Sequence, residues 1–195
     1  MRAFLNAPAL AAVSLSLAAV TFAQTPPVLR PSPEVNVVEP SGKQVTLSSQ
    51  KGKVVVLDFI FTTCVHCQAE TVMLEKLYKE MAPKGLQILS VAINDNAMML
   101  IPGFVQQYNV PWPVGYAPSD TMLKYMGFSM MDRWVVPQVV VIDRKGMIRA
   151  QTPVPGDINL QSETYMRGLL GTLLAEKAPA HTSHARGTVK TASNH

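Results

Sequence analysis

The 195-residue sequence has only two cysteines, Cys64 and Cys67, and few charged residues, which make up 15% of the chain. Two cysteines exclude a small scaffold held together by several disulfides. The formal net charge of +4 is modest and the basic residues are scattered, which argues against a nucleic-acid partner. The sequence also lacks internal repeats and motifs for a nucleotide, flavin or haem. Its hydrophobic content of 48% instead suits one globular domain with a substantial core.

The longest apolar run lies near the N terminus, at residues 7–22. Arg2 precedes it and Ala23 supplies a small residue at its end, so residues 1–23 are typical of a signal peptide. The run is short for a membrane-spanning helix, and Pro8 interrupts it. An uncleaved anchor is the alternative, and it is the only membrane association that the sequence offers. We therefore expect a periplasmic or secreted protein, in a compartment where disulfides persist.

Composition divides the remaining chain into three parts. Residues 24–33 are proline-rich and predict an extended lead-in. Residues 178–195 lack apolar periodicity and predict a disordered tail. One folded domain is therefore expected at residues 34–177, and we expect it to be a monomer.

Within this domain, apolar patterns alternate between strands and helices. Residues 54–61 form a nearly continuous run of apolar, often β-branched residues, which predicts a strand buried on both faces. Residues 86–93 and 134–142 predict two further strands, and residues 147–151 predict a hairpin partner for the last of them. Apolar residues at helical spacing follow the first strand and return near the C terminus. This order predicts an α/β fold with a central mixed sheet flanked by helices.

The two cysteines are spaced as CVHC, directly after the first buried strand and at the start of a helix. A helix N-terminus carries partial positive charge and stabilises a thiolate, so Cys64 is the expected nucleophile. Cys67 lies almost one turn further, close enough to form a small disulfide ring with Cys64 and to act as the resolving thiol. His66, when protonated, would add positive charge near Cys64 and tune the redox centre. The alternative is that His66 is exposed, neutral and without influence.

Two carboxylates accompany the cysteines. Asp58 is the lone charge in the buried run and lies six residues before Cys64, so we expect burial to raise its pKa. It could then accept a proton from Cys67, directly or through water. Glu70 lies three residues after Cys67, on about the same helix face. It either joins this proton relay or is an exposed residue near the start of the helix.

Together these motifs resemble the thioredoxin-like superfamily, and within it the exported TlpA/ResA-type thiol-disulfide oxidoreductases. The resemblance covers residues 34–176 and includes a Gly-Lys pair before the first core strand, CVHC in the CxxC position, and the segment VVPQVVVIDRKGMI. Asp58 matches a buried aspartate of thioredoxins, and Glu70 matches an active-site glutamate of ResA-type proteins. The resemblance implies a thioredoxin-like fold with an N-terminal β extension and a helix-strand insert at residues 94–118.

The same resemblance implies where substrates dock and what they are. Pro137 would be the family's cis-proline facing the cysteines, with Val136 before it, and backbone beside this proline pairs with substrate. Trp134 could border that surface or belong to the core. The implied partners are disulfide-bearing protein substrates and a thiol electron donor, and the Cys64–Cys67 pair is the redox centre without a further cofactor. Cytochrome c maturation and general disulfide reduction are both roles in this family, and we expect reduction.

Two departures from the family pattern leave the direction of electron flow open. Thr63 stands where a tryptophan is usual before the first cysteine. The dipeptide between the cysteines is Val-His in place of the common Xaa-Pro, and His66 occupies the position that histidine has in DsbA-type oxidants.

Three rival interpretations are weaker. Structural zinc requires four ligands, and the sequence offers two thiols and histidines in the predicted tail. Copper transfer would use soft ligands such as methionine, although the CxxxC spacing of Sco-type carriers is absent. The candidate methionines are Met98, Met99, Met122, Met126, Met130 and Met131. A peroxiredoxin-like peroxidase would need a threonine where Phe61 stands, to hydrogen-bond the thiolate.

Overall fold

The computed structural model describes residues 30–154 and 156–177 of the chain. The predicted signal peptide, most of the lead-in and the predicted tail lie outside these residues. The strands are β1 (Arg30–Pro31), β2 (Asn36–Val38), β3 (Gln44–Thr46), β4 (Val54–Ile60), β5 (Leu86–Ala92), β6 (Val114–Tyr116), β7 (Gln138–Ile142) and β8 (Met147–Gln151). The α-helices are α1 (Val65–Met81), α2 (Ala97–Tyr108), α3 (Ser119–Met126) and α4 (Glu163–Ala175). None of the helices in the described ranges has the length and apolar character that a membrane span requires.

These strands form one mixed sheet, in the order β1-β8-β7-β4-β5-β6-β2-β3. β4 lies near its centre, parallel to β5 on one side and antiparallel to β7 on the other. Consequently the C-terminal ends of β4 and β5 and the N-terminal end of β7 meet at the same edge of the sheet. We call this the site edge.

The central strand β4 is buried along its whole length, as predicted for residues 54–61. Val54 and Val56 pack with residues of α1, α2 and α4 on one face. Leu57 and Phe59 pack with residues of α3 on the other face. Because burying each such side chain contributes about 1.5–3 kcal/mol, one strand stabilises the helix layers on both sides of the sheet.

The insert expected at residues 94–118 is present as α2 and β6, and β6 extends the sheet beyond β5. The N-terminal extension, β2 and β3, continues this side of the sheet because β2 pairs with β6. The sheet also starts earlier than the sequence indicated. Arg30–Pro31, at the end of the predicted lead-in, forms β1 and pairs with β8.

The third core strand is shorter than predicted. Its pattern predicts a strand from Trp134, but β7 begins at Gln138. The peptide bond between Val136 and Pro137 is cis, and proline has no backbone N–H to donate to a neighbouring strand. The segment before Pro137 therefore stays outside the ladder and remains available at the site edge.

Candidate active site

The two cysteines lie at the site edge, where β4 ends and α1 begins. Cys64 is the N-cap residue of α1, with extended backbone (φ −84°, ψ 124°), and Cys67 lies in the first helical turn. The Cys64 amide donates to the Phe61 carbonyl at 3.1 Å, and the Gln68 amide donates to the Cys64 carbonyl at 3.0 Å. These bonds turn the chain directly from the buried strand into the helix, so the position of Cys64 follows from that of β4.

Side-chain hydrogen bonds fix the loop before Cys64. Asn94, which follows β5, accepts the Thr62 amide on its Oδ1 atom at 2.9 Å. The Gln68 side chain donates to the Thr62 carbonyl at 3.0 Å. Thr62 is thus held from both β5 and α1. Sequence analysis identified neither Asn94 nor Gln68. The one signal for Asn94 was its position at the carboxyl end of a predicted strand.

The two thiols differ in accessibility. Cys64 is partly exposed and Cys67 is fully buried, and both are free thiols. Burial raises the pKa of the Cys67 thiol above its ordinary value, and the nearby charges of Cys64 and Glu70 raise it further. Cys67 therefore needs a proton acceptor before it can react as a thiolate.

The loop before β7 faces Cys64 across the site edge. Its Val136–Pro137 peptide bond is cis and Pro137 is buried. Cys64 Sγ lies 4.0 Å from the Val136 carbonyl oxygen. The Gln138 side chain donates to the Val135 carbonyl at 2.7 Å, which ties the loop to the first residue of β7. A polypeptide bound beside Cys64 would therefore meet the backbone of this loop.

Asp58 and Glu70 are both buried, and within the described residues neither carboxyl group has a hydrogen-bond partner. Burial raises the pKa of Asp58 to about 7. The hydroxyl group of Ser90, which lies opposite Asp58 on β5, lowers this pKa slightly, although the two side chains do not meet in ordinary hydrogen-bond geometry. Burial also raises the pKa of Glu70 well above its ordinary value, and the charges of Asp58 and Cys64 add to the effect. The interpretation of Glu70 as an exposed helix residue is therefore wrong. The two carboxyl groups therefore keep their protons to higher pH than carboxyl groups in water do.

His66 and Trp134 occupy more open positions. His66 is exposed to solvent in the first turn of α1. Trp134 is half-buried and meets the ring of Phe61 edge to face, with ring centroids 6.2 Å apart. Trp134 also lines a surface cleft together with Thr63, the neighbour of Cys64. It therefore borders the surface beside the cysteines.

The methionines considered as soft metal ligands fall into two groups. Met122 and Met126 are core residues of α3. The other four are exposed: Met98, Met99, Met130 and Met131. Over residues 30–154 and 156–177, no group of three or more His, Cys, Asp or Glu side chains could hold a metal ion.

Comparison with known proteins assigns the chain to a family. A family model described as Redoxin matches residues 27–167. The chain is also similar to the thiol-disulfide oxidoreductase ResA of Bacillus thuringiensis subsp. konkukian, at 28% identity over 117 residues. That match covers 60% of this chain and 64% of the relative, which is less than two thirds of the relative's length.

Solved structures support the fold. A thiol:disulfide interchange protein of the thioredoxin family from Chlorobium tepidum TLS matches with a TM-score of 0.63 at 22% identity, over 78% of this chain and 99% of that one. A thiol:disulfide interchange protein from Bacteroides sp. matches with a TM-score of 0.59 at 21% identity, over 82% of this chain and 97% of that one. The predicted α/β, thioredoxin-like fold with a mixed sheet and flanking helices is thus confirmed.

Burial of Asp58 makes stability depend on pH in a definite direction. Its pKa is about 7 in the folded chain against an ordinary value of 3.8, so the folded state binds this proton more tightly than the unfolded state. The resulting stabilisation is complete below about pH 4 and is lost as the pH rises through about 7. Asp58→Asn cannot ionise, so it should raise the free energy of unfolding at about pH 9 by up to about 4 kcal/mol. At about pH 5 the gain should be much smaller.

Urea unfolding at both pH values measures this difference. The control is Asp120→Asn, because Asp120 is exposed and pairs with Lys124 at 2.9 Å. This control should not stabilise the protein at high pH. A gain for Asp58→Asn that is equal at both pH values would contradict the prediction.

Proposed function

The chain belongs to the Redoxin family, and we propose that it is an exported thiol-disulfide oxidoreductase that mainly reduces disulfides of protein substrates. One observation carries this proposal, namely the asymmetry of the two thiols. A partly exposed Cys64 lies at a helix N-terminus opposite the cis peptide bond of Pro137, one turn before a fully buried Cys67. This arrangement suits a nucleophile that meets the substrate and a shielded thiol that releases it.

In the reducing direction, the Cys64 thiolate attacks one sulfur of the substrate disulfide. A mixed disulfide forms between Cys64 and the substrate, and the second substrate sulfur leaves as a thiolate and takes up a proton. Cys67, once deprotonated, attacks Cys64 Sγ, so that the Cys64–Cys67 disulfide forms and the first substrate sulfur leaves. Two electrons pass from the dithiol to the substrate, and a thiol donor returns them by the reverse exchange.

Asp58 and Glu70 are the groups that move the proton of the second step. Burial holds the pKa of Asp58 at about 7, so near neutral pH it is ready to accept the proton of Cys67. Burial keeps the pKa of Glu70 well above its ordinary value, which favours its protonated form, and we assign Glu70 as the group that gives a proton to the leaving substrate sulfur. Proton transfer by positioned carboxyl groups of this kind contributes about 10²–10⁴-fold to a rate.

Substrate docks on the backbone before β7. The Val136 carbonyl oxygen lies 4.0 Å from Cys64 Sγ, so an extended peptide that pairs with this backbone would bring its own sulfur to Cys64. Pro137 holds the segment in place, and Trp134 borders it. Residues 1–23 support export because they form the predicted signal peptide, and an oxidising compartment supplies protein disulfides.

Replacing each cysteine separates the two chemical steps. Cys64→Ser removes the nucleophile, so the pre-reduced protein should lose insulin reduction completely. Cys67→Ser keeps the nucleophile but removes the resolving thiol, so it should accumulate the mixed disulfide, which mass spectrometry under non-reducing conditions detects. Unchanged insulin turnover by Cys64→Ser would exclude the nucleophile assignment.

Replacing the carboxyl groups tests the proton relay. Asp58→Asn and Glu70→Gln should form the mixed disulfide normally but release it about 10²-fold more slowly or worse. Single-turnover kinetics measure both steps, and Asp58→Asn should also lose the pH dependence of release near pH 7. Glu75→Gln, on the same helix and paired with Lys79, is the matched control. Release at the wild-type rate by Asp58→Asn would show that it is not the proton acceptor.

His66 tests the direction of electron flow. A positive charge at His66 would stabilise the Cys64 thiolate and hence the dithiol, so His66→Pro should make the reduction potential more negative. Proline is tolerated in the first turn of a helix, and His66→Ala should shift the potential the same way. Equilibration with glutathione gives the potential, which is about −270 mV for thioredoxin and about −120 mV for DsbA. A less negative potential in both variants would rule out tuning by His66.

A further inference from the structure

Two buried polar side chains near Asp58 have no role in the proposed exchange of disulfides. Ser90 lies on β5 directly opposite Asp58 on β4, and Trp112 precedes β6 in the insert. Both are almost inaccessible to solvent, with 2% of Ser90 and 4% of Trp112 exposed. Burying a hydroxyl or an indole N–H costs free energy unless it finds a hydrogen-bond partner.

The insert holds Ser90 with two hydrogen bonds. The indole N–H of Trp112 donates to Ser90 Oγ at 2.7 Å, and the Ser90 amide donates to the Pro113 carbonyl at 3.1 Å. The Trp112 ring in turn packs against Tyr78 of α1, with ring centroids 5.5 Å apart. The oxygen atom of Ser90 is therefore fixed by a side chain that is itself held between the insert and α1.

The indole determines how the Ser90 hydroxyl can be used. An indole N–H only donates, so Ser90 Oγ is the acceptor in this bond and its own hydrogen atom stays available for another acceptor. Within the described residues, that hydrogen atom has no acceptor in ordinary geometry, and both carboxyl oxygens of Asp58 are buried without a partner. A buried donor without an acceptor thus lies opposite a buried acceptor without a donor.

The three side chains lie on the same face of the sheet. Because side chains alternate along a strand, Asp58 shares its face with Val56, which belongs to the core cluster that also contains Trp112 and Cys67. Ser90 is the register partner of Asp58 on the neighbouring strand, and neighbouring strands lie about 4.8 Å apart. The Ser90 hydroxyl and the Asp58 carboxyl are therefore adjacent, on the side of the sheet where the buried thiol lies.

Resting on the proposed function of Asp58 as proton acceptor, we propose that Ser90 and Trp112 are its positioning residues. When Asp58 is ionised, its carboxylate accepts the Ser90 hydroxyl, which Trp112 holds in the donating orientation. A hydrogen bond to a charged group is about twice as strong as one between neutral groups. The bond therefore favours the ionised form of Asp58, which is the form that can receive the proton of Cys67. Through Trp112, the insert acts on the proton chemistry of the site.

The direction of the Asp58 pKa agrees with this assignment. Burial raises that pKa to about 7, and the Ser90 hydroxyl acts in the opposite direction. Among the described residues, the other titratable groups on this face come from α1 and from the border of the core cluster, whereas β7 and α4 contribute apolar side chains. These groups are Glu70, Cys67, Cys64, Tyr78, Tyr108 and Tyr116. A variant of Ser90 keeps all of them, so its effect on Asp58 reports the hydroxyl.

The test follows the titration of Asp58 by NMR in protein labelled at the carboxyl carbons of aspartate, so that Glu70 gives no signal. The protein carries Cys64→Ser and Cys67→Ser, so that no thiol titrates and no disulfide exchange is needed. In this protein, Ser90→Ala should raise the titration midpoint of Asp58 by about one pH unit. Ser90→Thr keeps a hydroxyl at the same position, and its midpoint should lie within about 0.3 pH units of that with Ser90.

Trp112→Phe tests the indole in the same titration. It keeps an aromatic ring but removes the N–H, so the Asp58 midpoint should rise by less than in Ser90→Ala, and adding it to Ser90→Ala should cause no further rise. Tyr78→Phe is the matched control, because it contacts the same ring but leaves the bond between the indole and Ser90 intact. An unchanged midpoint in Ser90→Ala or Trp112→Phe, or an equal rise in Tyr78→Phe, would overturn the proposal.

Kinetics of the protein with both cysteines separate this inference from the proposed function. A rise of the Asp58 midpoint by about one pH unit lowers its ionised fraction at about pH 7 from about one half to about one tenth. Ser90→Ala should therefore release the mixed disulfide about fivefold more slowly at that pH, form it at an unchanged rate, and release it almost normally at about pH 9.

The two measurements fail in different ways. If the midpoint rises but release is not slowed, Ser90 positions Asp58, and the assignment of Asp58 as proton acceptor in the proposed function is wrong. If the midpoint does not move, Ser90 and Trp112 do not position Asp58, whether or not the protein reduces disulfides.

Discussion

Burial of β4 between β5 and β7 is the constraint on which the candidate site depends. The interior of this strand holds Asp58, and its end delivers the chain to Cys64 at the N-terminus of α1. Its parallel neighbour brings Asn94 to the loop before the cysteines. Its antiparallel neighbour brings Pro137 to the opposite side. A shift of β4 by one residue would turn Asp58 to the other face of the sheet and break this arrangement.

The site combines three buried acids, Asp58, Glu70 and Cys67, and burial raises the pKa of each. All three therefore favour the protonated, uncharged form more strongly than the same groups do in water. The two carboxyl groups have no hydrogen-bond partner within the described residues. Buried polar groups without partners reduce stability. Such a cost next to the two cysteines is typical of a functional site.

The surface around the cysteines contrasts with this proton-holding interior. Beside the partly exposed Cys64, Val65 is exposed, and the aromatic pair of Phe61 and Trp134 borders a surface cleft that Thr63 also lines. In the proposed function, the interior governs the sulfur and proton chemistry, and the surface beside Cys64 meets the substrate.

Local sequence patterns were sufficient for much of the fold and for the chemical groups of the site. The apolar run at residues 54–61 predicted the buried strand, and the four groups of the candidate redox site lie within residues 58–70, close enough for spacing to relate them. The edge strand Arg30–Pro31 was missed because two residues show no periodicity. The contact between Thr62 and Asn94 joins residues 32 positions apart. The same holds for the burial of Glu70, the start of β7 and the surface cleft. Each depends on which distant segments pack together, and the topology of the sheet decides this packing, not the neighbours in sequence.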